Sequence, residues 1–126
     1  VLLSKCFPAS SIDAIITEPF LGPPLKCRET GQQIQKIVEE LTQLYLAGLR
    51  EFAKVLKTDG VIIMIWPILQ QRIFLPLLEK LPALNLRVEP LLPLAFQQYL
   101  TPRQTLIYAR PDQKVGREII KLKKSG

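Results

Sequence analysis

The chain has 126 residues, with seventeen Lys and Arg against eleven Asp and Glu, a net charge of +6, and no histidine. That length supports one hydrophobic core and not two ordinary domains, and the lack of an imidazole excludes His-containing triads and histidine-ligated zinc. Two cysteines, Cys6 and Cys27, form neither a four-thiolate site nor a disulfide framework, which favours a reducing, cytoplasmic setting; the longest nearly apolar run, 61–69, is far short of the roughly 20 residues of a membrane helix.

In chain order, the first element predicted is a strand over 12–17 (IDAIIT), a short apolar run ending at a proline. Residues 18–28 carry three prolines and a glycine and read as a loop. Ile34, Ile37, Val38, Leu41, Leu44, Tyr45, Leu49, Phe52 and Leu56 recur at helical spacing and predict one long helix over 31–56. Thr30 is its expected N-cap with Gln33 in a capping box, Lys54 and Lys57 suit its C-terminal end, and Asp59-Gly60 is expected to stop it. The unalternating run 61–66 (VIIMIW) predicts a strand covered on both faces and ended by Pro67. A second helix, interrupted at Pro76, is expected over 68–81. Strands follow over 84–92 and 105–109, then a turn at Pro111-Asp112-Gln113 and a return strand over 115–122.

This order predicts an α/β fold, one half of a sheet whose parallel strands end in antiparallel ones. Such a sheet binds ligands outside the carboxyl ends of its strands, which selects 17–24 and the Trp66-Pro67 end as the places to look. The positive charge is concentrated near the end of the chain: six cations against two carboxylates in 110–126 supply +4 of the total. Segment 111–126 is therefore expected to be a basic hairpin arm or tail, either merely solvated or in contact with phosphates.

The first loop combines a strand end, the carboxylate of Glu18 and stiffening prolines. Proline leaves little backbone entropy to lose, a carboxylate accepts hydrogen bonds from an amine, and a neighbouring aromatic stacks on an extruded base. The plainer alternative is a packed strand-to-helix turn with Glu18 solvated. Thr17-Glu18-Pro19-Phe20-Leu21-Gly22 resembles the catalytic loop of class I S-adenosylmethionine-dependent methyltransferases that act on exocyclic amines. The chain is similar to the C-terminal half of a Rossmann-like domain of that kind, nearest to the THUMP-associated tRNA guanine-N2 methyltransferases. Cys6-Phe7-Pro8-Ala9-Ser10-Ser11-Ile12-Asp13 resembles the approach to that strand, and 46–60 the helix and turn before the next.

The resemblance implies S-adenosyl-L-methionine as cofactor, with Thr17 and Glu18 beside it. It makes Glu18 the acceptor for the guanine amino group, Pro19 a second acceptor through its carbonyl, and Phe20 the flanking aromatic. Leu21, Gly22, Lys26 and Arg28 become substrate contacts. The family's second proline is replaced by Phe20 and its aromatic position holds Leu21, so either Phe20 takes over the stacking in a reshaped loop or the target differs. No G-x-G is present to carry the methionine part of the cofactor. Residues 1–126 are accordingly expected to be a partial domain that lacks the cofactor-binding N-terminal half, all the more as Val1 is not a natural start. The edge at 12–17 would then be covered by that half, a second copy or a partner chain.

The function implied is methyl transfer to guanine N2 in RNA, with tRNA as partner and no membrane. A DNA adenine-N6 or cytosine-N4 methyltransferase is the alternative enzyme, and a non-catalytic basic module that binds RNA or completes another fold is the alternative from another class. No metal ligands are assigned. Trp66 and Tyr45 read as packed aromatics, Cys27 as a thiol near the site with nothing to activate it, and Arg103 and Arg110 as a rim facing RNA.

Overall fold

The computed structural model describes residues 2–26 and 28–126; Cys27 and the expectation attached to it lie outside them. Strand β1 spans Ile12–Thr17, as the apolar run predicts. Helix α1 spans Gly31–Val55 and starts at the predicted cap: the Thr30 hydroxyl accepts from the Gln33 amide N–H, and the Gln33 side chain accepts from the Thr30 N–H. The helix ends one residue earlier than expected, and Asp59-Gly60 falls after the end. Both residues belong to strand β2, Leu56–Leu69. There the β1–β2 register slips between Ile12 and Ala14, and the extra β2 residues turn tightly. A Cβ at Gly60 would stand 2.6 Å from Leu56 Cγ and 2.7 Å from the Lys57 carbonyl, so the turn needs glycine.

β2 runs through Pro67 instead of ending there. Its pairing with β1 stops at Met64, so the prolyl nitrogen, which has no proton, faces no β1 partner. The helix expected over 68–81 is absent. Ile68 and Leu69 continue β2 and pair with β3, Ile73–Phe74, through a turn at Gln70 and Gln71. The buried leucines Leu75, Leu77 and Leu81 flank two short 3-10 turns, Leu78–Lys80 and Pro82–Leu84, whose own Leu78 and Leu84 are only partly buried; Pro76 and Pro82 disfavour a longer helix. β4, Leu86–Glu89, is shorter than the predicted strand. A further 3-10 segment, Leu94–Tyr99, precedes β5, Leu106–Tyr108, and β6 covers Val115–Lys124.

The sheet order is β1-β2-β6-β4, with β3 on β2 and β5 on β6; β1 and β2 are parallel and the other pairs antiparallel. This is the α/β arrangement expected, parallel strands ending in antiparallel ones. β5 and β6 form the expected hairpin, but β6 is not an arm or tail: it is inserted between β2 and β4, with Ile120 and Leu122 fully buried. Its charges are used accordingly. Lys124 Nζ donates to the carbonyls of Ala53 and Leu56, satisfying acceptors at the C-terminal end of α1.

The core lies between α1 and one face of the sheet, where Leu41, Tyr45, Leu46 and Leu49 cluster with Ile62, Met64, Trp66, Ile120 and Leu122. The opposite face of β2 is not covered as the apolar run suggested; Val61, Ile63 and Ile65 stay half-buried. Among the described residues β1 pairs with β2 alone, and Ile16 is 78% exposed on that edge strand. No described helix is long and apolar enough to cross a membrane.

Candidate functional site

Thr17 closes β1 opposite Met64, so Glu18 to Gly22 leave from the carboxyl end of a parallel strand. Two bonds set the loop that follows. The Tyr45 hydroxyl, from the buried face of α1, donates to the Phe20 carbonyl at 2.8 Å. Arg117 Nε, from β6, donates to Glu18 Oε1 at 3.1 Å. Gly22 takes φ +103°, a turn only glycine makes without strain, and brings the chain against Leu41 of α1. The Phe20 ring is 60% exposed and free to meet a ligand.

Among the described residues Oε1 of Glu18 takes the Arg117 bond, and no hydrogen bond engages Oε2. The guanidinium keeps the carboxylate in place without enclosing it, since both side chains remain partly exposed. Burial pushes the Tyr45 phenol up, and the charge of Glu18 adds to the shift, so Tyr45 is a permanent donor to the loop.

A cleft of about 350 Å³ opens on the Arg117 side of this pair, between the loop residues Leu21, Pro24 and Leu25, the β5–β6 turn, and Val115 and Arg117 at the start of β6; Glu18 does not line it. The residues singled out in the sequence thus divide. Thr17, Glu18, Pro19, Phe20, Leu21 and Gly22 share one strand end, with Leu21 on the cleft. Lys26 and Arg28 instead line a separate cavity of about 510 Å³ against Gln33, Lys36, Ile37 and Glu40 of α1. In that cavity the Lys26 N–H binds Glu29 Oε1 and is the first cause of the low pKa of this carboxyl.

Trp66 is fully buried, a packed aromatic as read from the sequence, and its indole N–H has no partner among the described residues. Tyr45 is core as expected and also a loop support. Arg103 does not face solvent as a rim residue: it makes two bonds to the buried carboxylate of Glu118, at 2.8 and 3.2 Å, and its guanidinium lies 4.9 Å over the Phe74 ring. Arg110 is exposed and paired with Asp112 at 3.5 Å. The residue missed entirely is Arg117. Nothing near it in the sequence marks it, because its partner is ninety-nine positions away.

No known family profile and no curated protein matches this sequence. Solved structures do match its fold. One is the selenomethionine derivative of a candidate DNA modification methylase from Thermus thermophilus, with TM-score 0.52 and 14% identity over 98% of this chain and 51% of the other. The same methylase without that labelling gives 0.50 at 15% identity, and its complex with S-adenosyl-L-methionine 0.50 at 14% identity, each over 98% of this chain and 50% of the other. The likeness is one of fold, and this chain spans about half the length of the structures it matches.

Proposed function

We propose that this chain is the catalytic-loop half of an S-adenosyl-L-methionine-dependent methyltransferase acting on the exocyclic amine of a nucleobase, guanine N2 in tRNA. The observation that carries the reading is the Glu18 carboxylate, set at the carboxyl end of β1 by Arg117 while Tyr45 pins the loop behind it. One oxygen so held leaves the other to accept a hydrogen bond from an amine and orient its nitrogen. Positioning of this kind supplies much of the rate in a transfer that needs little base strength. The Pro19 carbonyl is the second acceptor, and the exposed Phe20 ring the surface on which an extruded base stacks.

The cofactor supplies an electrophilic methyl group. Thr17 and Glu18 are the residues of this chain that would stand beside it. The described residues fit the amine side of the reaction and include no glycine-rich turn for the methionine part. The matched structures are about twice as long, which supports placing the rest of the site on a further segment. That segment, in preference to a second copy or a separate partner, would also cover the open edge of β1.

A DNA adenine-N6 or cytosine-N4 methyltransferase is the second reading, favoured by the name of the matched methylase. The discriminating experiment incubates the longer protein with labelled cofactor and either unmodified tRNA or duplex DNA, beside its Glu18→Ala variant. Methyl transfer to tRNA, lost in the variant, is expected. Transfer to DNA alone selects the second reading. Transfer to neither leaves the chain as a basic, non-catalytic module, and transfer insensitive to the substitution removes Glu18 from its role.

A further inference from the structure

A second cavity, of about 470 Å³, adjoins the cleft lined by Leu21 and by Arg117, the partner of Glu18. The two share Leu25, Asp112, Gln113 and Lys114, and together make one groove across the carboxyl ends of β1 and β2. Its far end is formed by Gln70, Gln71 and Arg72, the turn between β2 and β3.

Three observations give this end a character of its own. Gln70 and Gln71 stand in succession at φ +52° and +58°, a left-handed pair unfavourable for residues other than glycine. The turn is held in that form by the Gln71 side chain, whose Nε2 donates to the carbonyls of Gln113 at 2.7 Å and Arg110 at 3.2 Å, fastening the β5–β6 turn to it. Finally, Arg72 and Lys114 are both exposed, and among the described residues neither enters an ion pair, whereas Asp112 is paired with Arg110.

We infer that this end of the groove binds the backbone of the nucleotide next to the target base, with Arg72 and Lys114 on its phosphates. Leu25, Pro111, Gln70 and Gln113 line it beside the two cations, an apolar and amide lining that suits a sugar and base edge; Gln70 Oε1 accepts from Arg72 and Gln113 Oε1 from Arg117. The occupant is the strand that carries the target base, because a base extruded toward Glu18 stays joined to its neighbour through the phosphate backbone. Contacts to phosphate position the strand without reading its sequence. The inference rests on the reading of Glu18 as the acceptor for a base amine.

The test measures fluorescence anisotropy of labelled five-nucleotide ribo-oligomers, one with a single central guanine and one of uridine only, over a salt series. Arg72→Gln/Lys114→Gln is expected to weaken both oligomers about tenfold at 0.1 M salt and to make the slope of log affinity against log salt shallower by about 1.4, two single-strand phosphate contacts. Unchanged affinity and slope overturn the inference. Glu18→Ala, which removes the acceptor, is expected to abolish only the preference for the guanine oligomer. A preference that survives this change overturns the role of Glu18 and leaves the phosphate contacts standing on the salt slopes. A deoxyribo version should bind within threefold; its failure to bind would assign the groove to the 2′-hydroxyl and overturn a backbone-phosphate contact.

Discussion

Glu18 and Arg117 meet at 3.1 Å although they stand ninety-nine positions apart in the sequence. The pair ties the loop after β1 to a strand at the centre of the sheet, and so gives a carboxylate on a loop the placement of a residue on a rigid element. Because both side chains are partly exposed, Arg117→Gln should change folding stability by less than about 1 kcal/mol in chemical denaturation. If the carboxylate orients an amine, the same substitution should lower methyl transfer by about 10- to 100-fold. Equal losses of stability and transfer would show a purely structural pair.

Tyr45→Phe removes one hydroxyl from a packed ring and leaves the Phe20 carbonyl without its donor. A cost of about 1 kcal/mol is expected in urea unfolding. Hydrogen exchange should speed up in residues 18–26 and not in the middle of α1, because the bond restrains the loop and not the helix.

The Arg103 and Glu118 pair places a charge inside the fold. Glu118 is 1% exposed and also accepts from the Thr105 hydroxyl at 2.7 Å. Arg103→Met leaves that carboxylate buried without its cation and should cost about 3–5 kcal/mol. Replacing both residues by apolar ones of similar volume should recover much of the loss, since desolvation of the pair offsets much of its attraction. Urea denaturation of the single and double variants measures both effects.

Glu51 makes stability depend on acid pH. The Lys54 ammonium, then the backbone N–H and hydroxyl of Ser4, hold its carboxyl at about 2 against an ordinary 4.5. A depressed carboxyl contributes fully above pH 4.5, and the contribution is lost as pH falls through about 2. Glu51→Gln should therefore be less stable than the native chain at pH 7. It should also show a flatter loss of stability between pH 4.5 and 2, as followed by circular dichroism.

Much of the parallel half of the fold was legible in the sequence. β1 coincides with its apolar run, and α1 begins where Thr30 and Gln33 place a capping box. Both signals act within a few residues, so nothing distant overrides them. The loop at 18–22 was legible as a candidate site for the same reason: a strand end, a carboxylate and prolines adjoin in the chain. Segment 68–81 misled because leucines spaced for a helix also serve a hairpin and two 3-10 turns, and the choice lay with β6, whose pairing draws Ile68 and Leu69 into β2.

Composition and charge by themselves determined one core, no imidazole chemistry and a basic end to the chain. Only the tertiary structure decided what the basic end does. Inserted between β2 and β4, it turns Arg117 toward Glu18, Lys124 toward the end of α1 and Glu118 into the interior, where Arg103 neutralises it. Periodicity and capping are local properties of a chain. Which cation reaches which carboxylate depends on where a strand returns in the sheet, and that is set by packing between segments that share no pattern in the sequence.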